Sequence, residues 1–380
     1  MTDGDGRPLI DKQGRILGSI NIIDAAVVVF IAILLVGGVW FVAASGDETD
    51  PDSESEADSE LDPAVRYATL DLGTVSPQVA SQVDTDDTVQ ASDGRLTVTD
   101  IHRMPTDDQS RVFVRVEIEG EPLESDDDRF VYGEEPLRID RALTLSTERY
   151  ELSGQIQSVG EDGTELERID VETLLDVELS PSTLDSLAVG DEFVSGDETV
   201  GTIETIEAYG TGNPDRRQAQ IGVVYRTVAP PDGGRPVFGS TTIREGGTVT
   251  FETAANEFAG DIQRVGTVDP RGEPATRELT VQATNVDAAR AEQLEAGMSE
   301  TIRGEPIATV TDVTVTPTPQ VTADGTVIDS PTGRTVELTV EASVRETPSG
   351  PRFKNDPLRI GDAIVLELDT LTVEAEVTGQ

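Results

Sequence analysis

His102 is the only histidine in 380 residues, so any Ser-His-Asp relay would have to be built around it. It stands beside Arg103 at the end of an alternating stretch and has no counterpart further along the chain, which predicts a surface histidine. Carboxylates gather at Asp84, Asp86 and Asp87 and again at Asp126, Asp127 and Asp128. Such hard oxygen donors suit Ca²⁺ or Mg²⁺. Their spacing is not that of a calcium loop and neither run recurs, so solvated acidic loops are the expectation. Arg138, Arg244 and Arg359 do recur at one equivalent place. A guanidinium repeated in this way can contact an anionic polymer or protein partner. Pairing with nearby carboxylates is the plainer expectation in so acidic a chain.

Little else supports catalysis. The absence of cysteine excludes disulfides, thiolate nucleophiles and Cys-bound zinc. There is no Gly-rich phosphate loop, nucleophile elbow or metalloprotease helix. Carboxylate pairs occur everywhere, so none stands out as an acid–base dyad. The expectation is a chain that is no enzyme and takes no cofactor and no metal.

Asp and Glu number 74 against 28 Lys and Arg, a formal net charge of -46. Phosphate would be repelled over the whole surface, so nucleic acid is no expected partner. Lysine is confined to Lys12 and Lys354, and arginine supplies the other cations. Self-repulsion on this scale is relieved by salt, because the screening length falls to ~3 Å at molar ionic strength. The composition therefore fits a halophilic, acidic proteome.

The arginines matter because the chain around them repeats. Three copies follow one another at a period of roughly 100 residues, placed at 67–160, 175–267 and 278–380. Each opens with two apolar residues, Val75 and Val83, Leu179 and Leu187, or Val286 and Leu294. Ser76, Ser180 and Asp287 take the N-cap position of one short helix between them. Turns follow at Asp86, Gly190 and Gly297. The next arm carries Val98 and Ile101, Ile203 and Ile206, or Val310 and Val313. Period-two alternation then marks a half-buried strand at Val112–Ile118, Ala219–Tyr225 and Val336–Ala342.

The closing third of each copy aligns without gaps. Tyr132, Phe238 and Phe353 precede Leu137, Ile243 and Leu358, and the three arginines follow directly. Alternation along a strand predicts these aromatics and aliphatics inside and the arginines outside. Gly154 and Gly260 correspond, with Ala375 in the third copy. The predicted fold is a mainly-β tandem repeat with one short helix per unit, each unit a compact barrel or sandwich. The Pro/Thr stretch from Thr314 to Thr322 is expected to be an exposed loop. No second span or C-terminal anchor is expected after the third copy.

Ahead of the repeats lie three segments. Residues 1–24 form a tail, 25–44 a transmembrane helix, and 45–66 an acidic disordered tether. Ala25 to Ala44 is 20 residues without a charge, enough for a helix to cross ~30 Å of hydrocarbon. Trp40 and Phe41 suit its far interface. Arg7, Lys12 and Arg15 precede the span, and the next cation is Arg66. The positive-inside rule therefore predicts a cytoplasmic N-terminus and extracytoplasmic repeats in a single-pass protein of the cell membrane. Val42-Ala43-Ala44 has signal-peptidase spacing, but the apolar run is longer than a signal peptide's, so the segment is expected to be retained.

The tail reads Ile10, Asp11, Gly14, Arg15, Gly18, Ile20, Asn21 and Asp24, directly before the span. This pattern resembles the opening of a family known as domain of unknown function 4330, in a haloarchaeal form. Ile16 or Leu17 replaces the family's common aromatic. Leu187–Ile206 also resembles that family's Gly-Asp hairpin. The resemblance implies the topology and no activity. The expected partners are the lipid bilayer and a protein of the membrane or envelope. The expected role is an interaction or structural module, with an accessory subunit of a transport or export complex as the alternative.

Overall fold

Alternating valines and isoleucines become long antiparallel strands. The computed structural model describes residues 64–380 apart from 93, 107, 123–129 and 370, together with two short strands, β1 (Arg15–Ile16) and β2 (Ile20–Asn21), which pair with each other. The segment Ala25–Ala44, the tether before residue 64 and the run Asp126–Asp128 lie outside the described residues. Among those described, no helix is long and apolar enough to cross a membrane.

Repeat 1 comprises β3 (Ala64–Val75), α1 (Pro77–Ala80), β4 (Thr88–Gln90), β5 (Arg95–Pro105), β6 (Ser110–Pro122), β7 (Phe130–Tyr132), β8 (Glu135–Pro136), β9 (Ala142–Ser146) and β10 (Glu151–Gly160). Repeat 2 runs through β11 (Arg168–Leu179), α2 (Pro181–Ser186), β12 (Glu192–Ser195), β13 (Glu198–Gly210), β14 (Arg217–Val228), β15 (Val237–Phe238), β16 (Thr241–Thr242), β17 (Thr248–Glu252) and β18 (Glu257–Val265). Repeat 3 holds β19 (Glu273–Asp287), α3 (Ala288–Ala291), β20 (Ser299–Ile302), β21 (Glu305–Val321), β22 (Val327–Thr347), β23 (Gly350–Phe353), β24 (Asp356–Pro357), β25 (Ala363–Leu368) and β26 (Leu371–Gly379).

The strand orders are β4-β5-β6-β3-β10-β9, β12-β13-β14-β11-β18-β17 and β20-β21-β22-β19-β26-β25. They are one order three times, so the chain is a tandem of mainly-β domains, each a barrel-like sheet. The order is also a palindrome. Each half of a repeat gives one long central strand and a hairpin that pairs with the long strand of the other half. The same turn recurs in both halves. In the first, the N–H of Asp86, Gly190 or Gly297 donates to Val98, Ile203 or Val310 at 2.8 Å. In the second, Asp140, Gly246 or Gly361 donates to Ile156, Ile262 or Val377 at 2.8–2.9 Å. All six donors have positive φ, which explains glycine at four of them.

The N-caps fall where the sequence put them. Ser180 accepts from the Thr183 N–H at 3.1 Å and Asp287 from that of Ala289 at 2.9 Å, whereas Ser76 makes no side-chain cap bond. Tyr132, Phe238 and Phe353 are buried in equivalent cores, at 4–6% exposure. Leu137 is half-buried beside its aromatic, and Ile243 and Leu358 are buried.

Two expectations change. The central strands begin at Ala64, Arg168 and Glu273, inside the expected tether and connectors, because these residues already pair with Gly120, Val228 and Glu346. The stretch Thr314–Thr322 is no loop. Through Val321 it is the outer arm of the β21–β22 hairpin, which extends well past its counterparts in the other repeats.

Candidate functional site

The sequence-selected groups do not converge on one site. Arg138, Arg244 and Arg359 are all exposed, and among the described residues none makes an ion pair. The expected carboxylate pairing is therefore absent there. Each instead turns a tight bend, its carbonyl accepting from Arg141, Gly247 or Asp362. Asp84 and Asp87, expected to be solvated, clasp the Arg149 guanidinium, and Tyr150 donates its hydroxyl to Asp87 at 2.6 Å. Burial beside Asp87 pushes the Tyr150 phenol well above its usual range. This ties the β9–β10 turn to the turn before β4. Among the described residues, no group of three or more possible ligands is placed to hold a metal.

His102 is the larger correction. It is fully buried, not superficial, because repeat 2 covers it. Its Nδ1 lies 2.7 Å from Glu198 Oε2 and its Nε2 3.2 Å from the Arg226 carbonyl. Its two ring nitrogens thus face a carboxylate oxygen and a backbone carbonyl oxygen. Arg168 completes the cluster, donating to Asp100 at 2.7 and 3.0 Å and to Glu198 at 2.8 Å. Burial pushes the Asp100 carboxyl up, but Arg168 and the Leu166 N–H outweigh it and hold it below its ordinary value. Glu198 is likewise raised by burial and brought below its ordinary value by His102 and Arg168. Met104, two residues on, is fully buried in the core of repeat 2.

The junction between repeats 2 and 3 reuses this strand. Val98, Ile203 and Val310 make the same turn bonds, which aligns His102 with Glu207 and Thr314, and Met104 with Tyr209 and Thr316. Glu207 accepts from Arg345 Nε at 2.6 Å, and Tyr209 is buried. Burial and Glu207 hold the Tyr209 phenol far above its usual range. Arg303, in the β20–β21 turn, donates to the Leu184 and Leu187 carbonyls at the end of α2, both at 2.6 Å. In repeat 1 the matching carbonyls, Ala80 and Val83, are held by that repeat's own Arg103. Glu300, almost wholly buried, pairs with Lys354 at 2.7 Å and accepts from the Gly210 N–H at 3.2 Å.

The chemistry of the two junctions differs. Thr205 and Pro274 stand where Asp100 and Arg168 fill the first, and a cleft of about 530 Å³ remains in the second. Ile206, Tyr209, Pro274, Ile302, Ile307 and Phe353 contribute to its walls, and Arg345 stands on its border. In repeat 3 no described residue covers the matching strand: Thr314–Pro317 is exposed, with Val315 at 42%. None of this was visible in sequence, because each junction joins positions about a repeat apart.

A family model described as Domain of unknown function (DUF4330) matches residues 8–110. The matched part runs from the tail to Ser110, the first residue of β6, and so takes in the first half of repeat 1. Leu187–Ile206 lies beyond it, but its structural counterpart, Val83–Ile101, lies within. No curated protein matches the chain, and no solved structure does.

Proposed function

We propose that this chain is a single-pass membrane protein that presents three β repeats outside the cytoplasm as an interaction module, with the free end of repeat 3 as its partner surface. The observation that supports this reading is the reuse of one strand. At His102–Met104 and Glu207–Tyr209 it docks the following repeat, and at Thr314–Thr316 it is uncovered. Among the described residues no guanidinium reaches the Ala291 and Leu294 carbonyls at the end of α3, where Arg103 and Arg303 serve α1 and α2.

The occupant this end fits is another protein that offers a β-hairpin with arginine at its turn, as β20–β21 offers Arg303. A second copy fits poorly, because the β4–β5 turn of repeat 1, residues 91–94, carries no cation. The exposed Arg138, Arg244 and Arg359, one in each repeat, supply secondary contacts for acidic groups. Anchoring rests on the uncharged run Ala25–Ala44 and on the cations that precede it.

Photo-crosslinking from position 315 of the full chain in native membranes tests the surface, with position 159 on repeat 1 as the reference. The reading expects a crosslink from 315 to a hairpin turn bearing arginine or lysine, lost when Thr316→Asp is added. Equal crosslinking from both positions, or crosslinking indifferent to Thr316→Asp, overturns it. Labelling of Ser59→Cys in intact cells is expected, and labelling only after lysis would reverse the topology.

A further inference from the structure

In a chain with 28 cations against 74 carboxylates, one wall of repeat 3 is unexpectedly basic. Arg271, Arg345, Arg352 and Lys354 border a single small pocket where repeat 3 meets Glu207, Tyr209 and Gln220 of repeat 2. Lys354 is one of only two lysines in the sequence. Two carboxylates answer this group: Glu207 pairs with Arg345 at 2.6 Å and Glu300 with Lys354 at 2.7 Å. Among the described residues Arg271 and Arg352 have no carboxylate, so the pocket keeps an excess of two positive charges.

Arg352 is the more telling of the two. One of its terminal nitrogens donates to the Asn355 carbonyl, while its buried Nε has no partner. A buried donor on a charged group is costly to leave unbonded. The pocket's free volume is about 10 Å³, room for a particle the size of one water molecule.

The fold does not demand these cations. The Pro351 and Pro236 carbonyls accept the same turn bond, from Leu358 and Ile243, which aligns Arg352 with Val237 and Lys354 with Gly239. Strand register aligns Arg345 with Val228, through their partners Pro274 and Arg168, and Arg271 then falls on Glu165. The first junction therefore has no cation at any of the four places. A water could accept the orphan N–H but would leave the excess charge unanswered. Sulfate and phosphate are too large for the space.

We propose that this pocket binds a monatomic halide, chloride in ordinary solution, held by Arg352 and Arg271 with Lys354 behind them. The bound ion completes the junction between repeats 2 and 3. It supplies negative charge to Arg352 and Arg271, for which no carboxylate is placed among the described residues. Because the ion binds only the folded junction, its stabilisation rises with the logarithm of chloride concentration above Kd.

The test uses the full chain. Crystals grown in bromide should show an anomalous peak in the pocket within contact of Arg352, and it should vanish in Arg352→Gln. In melts at matched ionic strength, the wild type should unfold at a higher temperature in chloride than in gluconate, which is too bulky to enter. Arg352→Gln should lose that difference, and Arg138→Gln, remote from the pocket, should keep it. Should Arg352→Gln fail to fold, the surface variant Arg271→Gln takes its place, with the chloride midpoint moved several-fold upward. The proposal is overturned by a wild type without the bromide peak. It is equally overturned by a chloride–gluconate difference that is absent in the wild type or unchanged in both pocket variants.

Discussion

Leu72 on β3 leans over the neighbouring strand β10 at Gly154, its Cδ2 only 2.6 Å from where a Cβ on that glycine would stand. In repeat 2 the matching pair is Val177 and Gly260, at 2.8 Å. In repeat 3, one residue on from the Gln282–Glu376 pair, Ala283 stands opposite Ala375, and both are buried. As the strand residue shrinks from Leu to Val to Ala, its partner grows from Gly to Ala. One volume is shared in each barrel.

Gly154→Ala should therefore overpack repeat 1 and cost about 1–3 kcal/mol. Leu72→Ala alone leaves a hole of similar cost. Combined, they recreate the Ala–Ala pairing of repeat 3, and the double variant should be more stable than the sum of the singles implies. Chemical denaturation of the four proteins in the cycle measures the coupling, and additive costs would show that the two sites do not share volume.

The three aromatics give a second prediction. Truncating Tyr132, Phe238 or Phe353 to alanine should cost about 3–5 kcal/mol. Phe238 should be the most costly, because its ring lies 4.5 Å from that of Tyr225 and 5.8 Å from that of Phe193. Aromatic pairs of this kind add about 0.5–1.5 kcal/mol beyond the area they bury. Calorimetry of each variant should show one repeat melting early while its neighbours persist, and a uniform fall of the whole profile would count against separate cores.

The repeat fold was legible because each barrel is held by local signals: alternation at Val112–Ile118, caps at Ser180 and Asp287, and positive-φ turns at Gly190 and Gly297. The junctions were not. His102 meets Glu198 and Arg226 only after two domains have formed, and nothing near residue 102 hints at its cover. The long β21–β22 hairpin was hidden by Pro317 and Pro319, residues that end most strands. Here they are tolerated because, among the described residues, this arm pairs with β22 alone, so no second partner needs their missing N–H. The two-fold symmetry within each repeat escaped because a helix in the first half is replaced by a hairpin in the second.

Acid should open the first junction. Asp100 and Glu198 both titrate below their ordinary values in the folded chain. Folding thus gains stability from them that is fully present above their unfolded values of ~3.9 and ~4.3, and that is lost as the pH falls through the lower folded values. The groups facing them are Arg168, which loses its counter-ions in acid, and His102. Melting curves between pH 7 and pH 3 should show the wild type losing stability steeply at the acid end. Glu198→Gln should start lower and fall less, and parallel curves would assign the acid lability to other carboxylates.

The last prediction concerns Arg303, whose φ of 54° puts a bulky side chain in a region that glycine prefers. The strain is tolerated because this turn aims the guanidinium at the Leu184 and Leu187 carbonyls, the open end of α2 in the neighbouring repeat. Hydrogen bonds to a charged group contribute about 1.5–3 kcal/mol. Arg303→Ala loses both bonds and keeps the strained backbone, so it should be the least stable variant. Arg303→Gly loses the bonds but relieves the strain, which returns part of the loss. Arg303→Lys keeps the charge without the planar fork that spans two carbonyls at once, and should lie between glycine and the wild type. Amide exchange at Leu187 and Ala188 should rise in the same order, because these N–H groups lie at the helix end that Arg303 covers. If glycine equals arginine in both readouts, the guanidinium contributes nothing to the junction and the turn alone determines how repeat 3 sits on repeat 2.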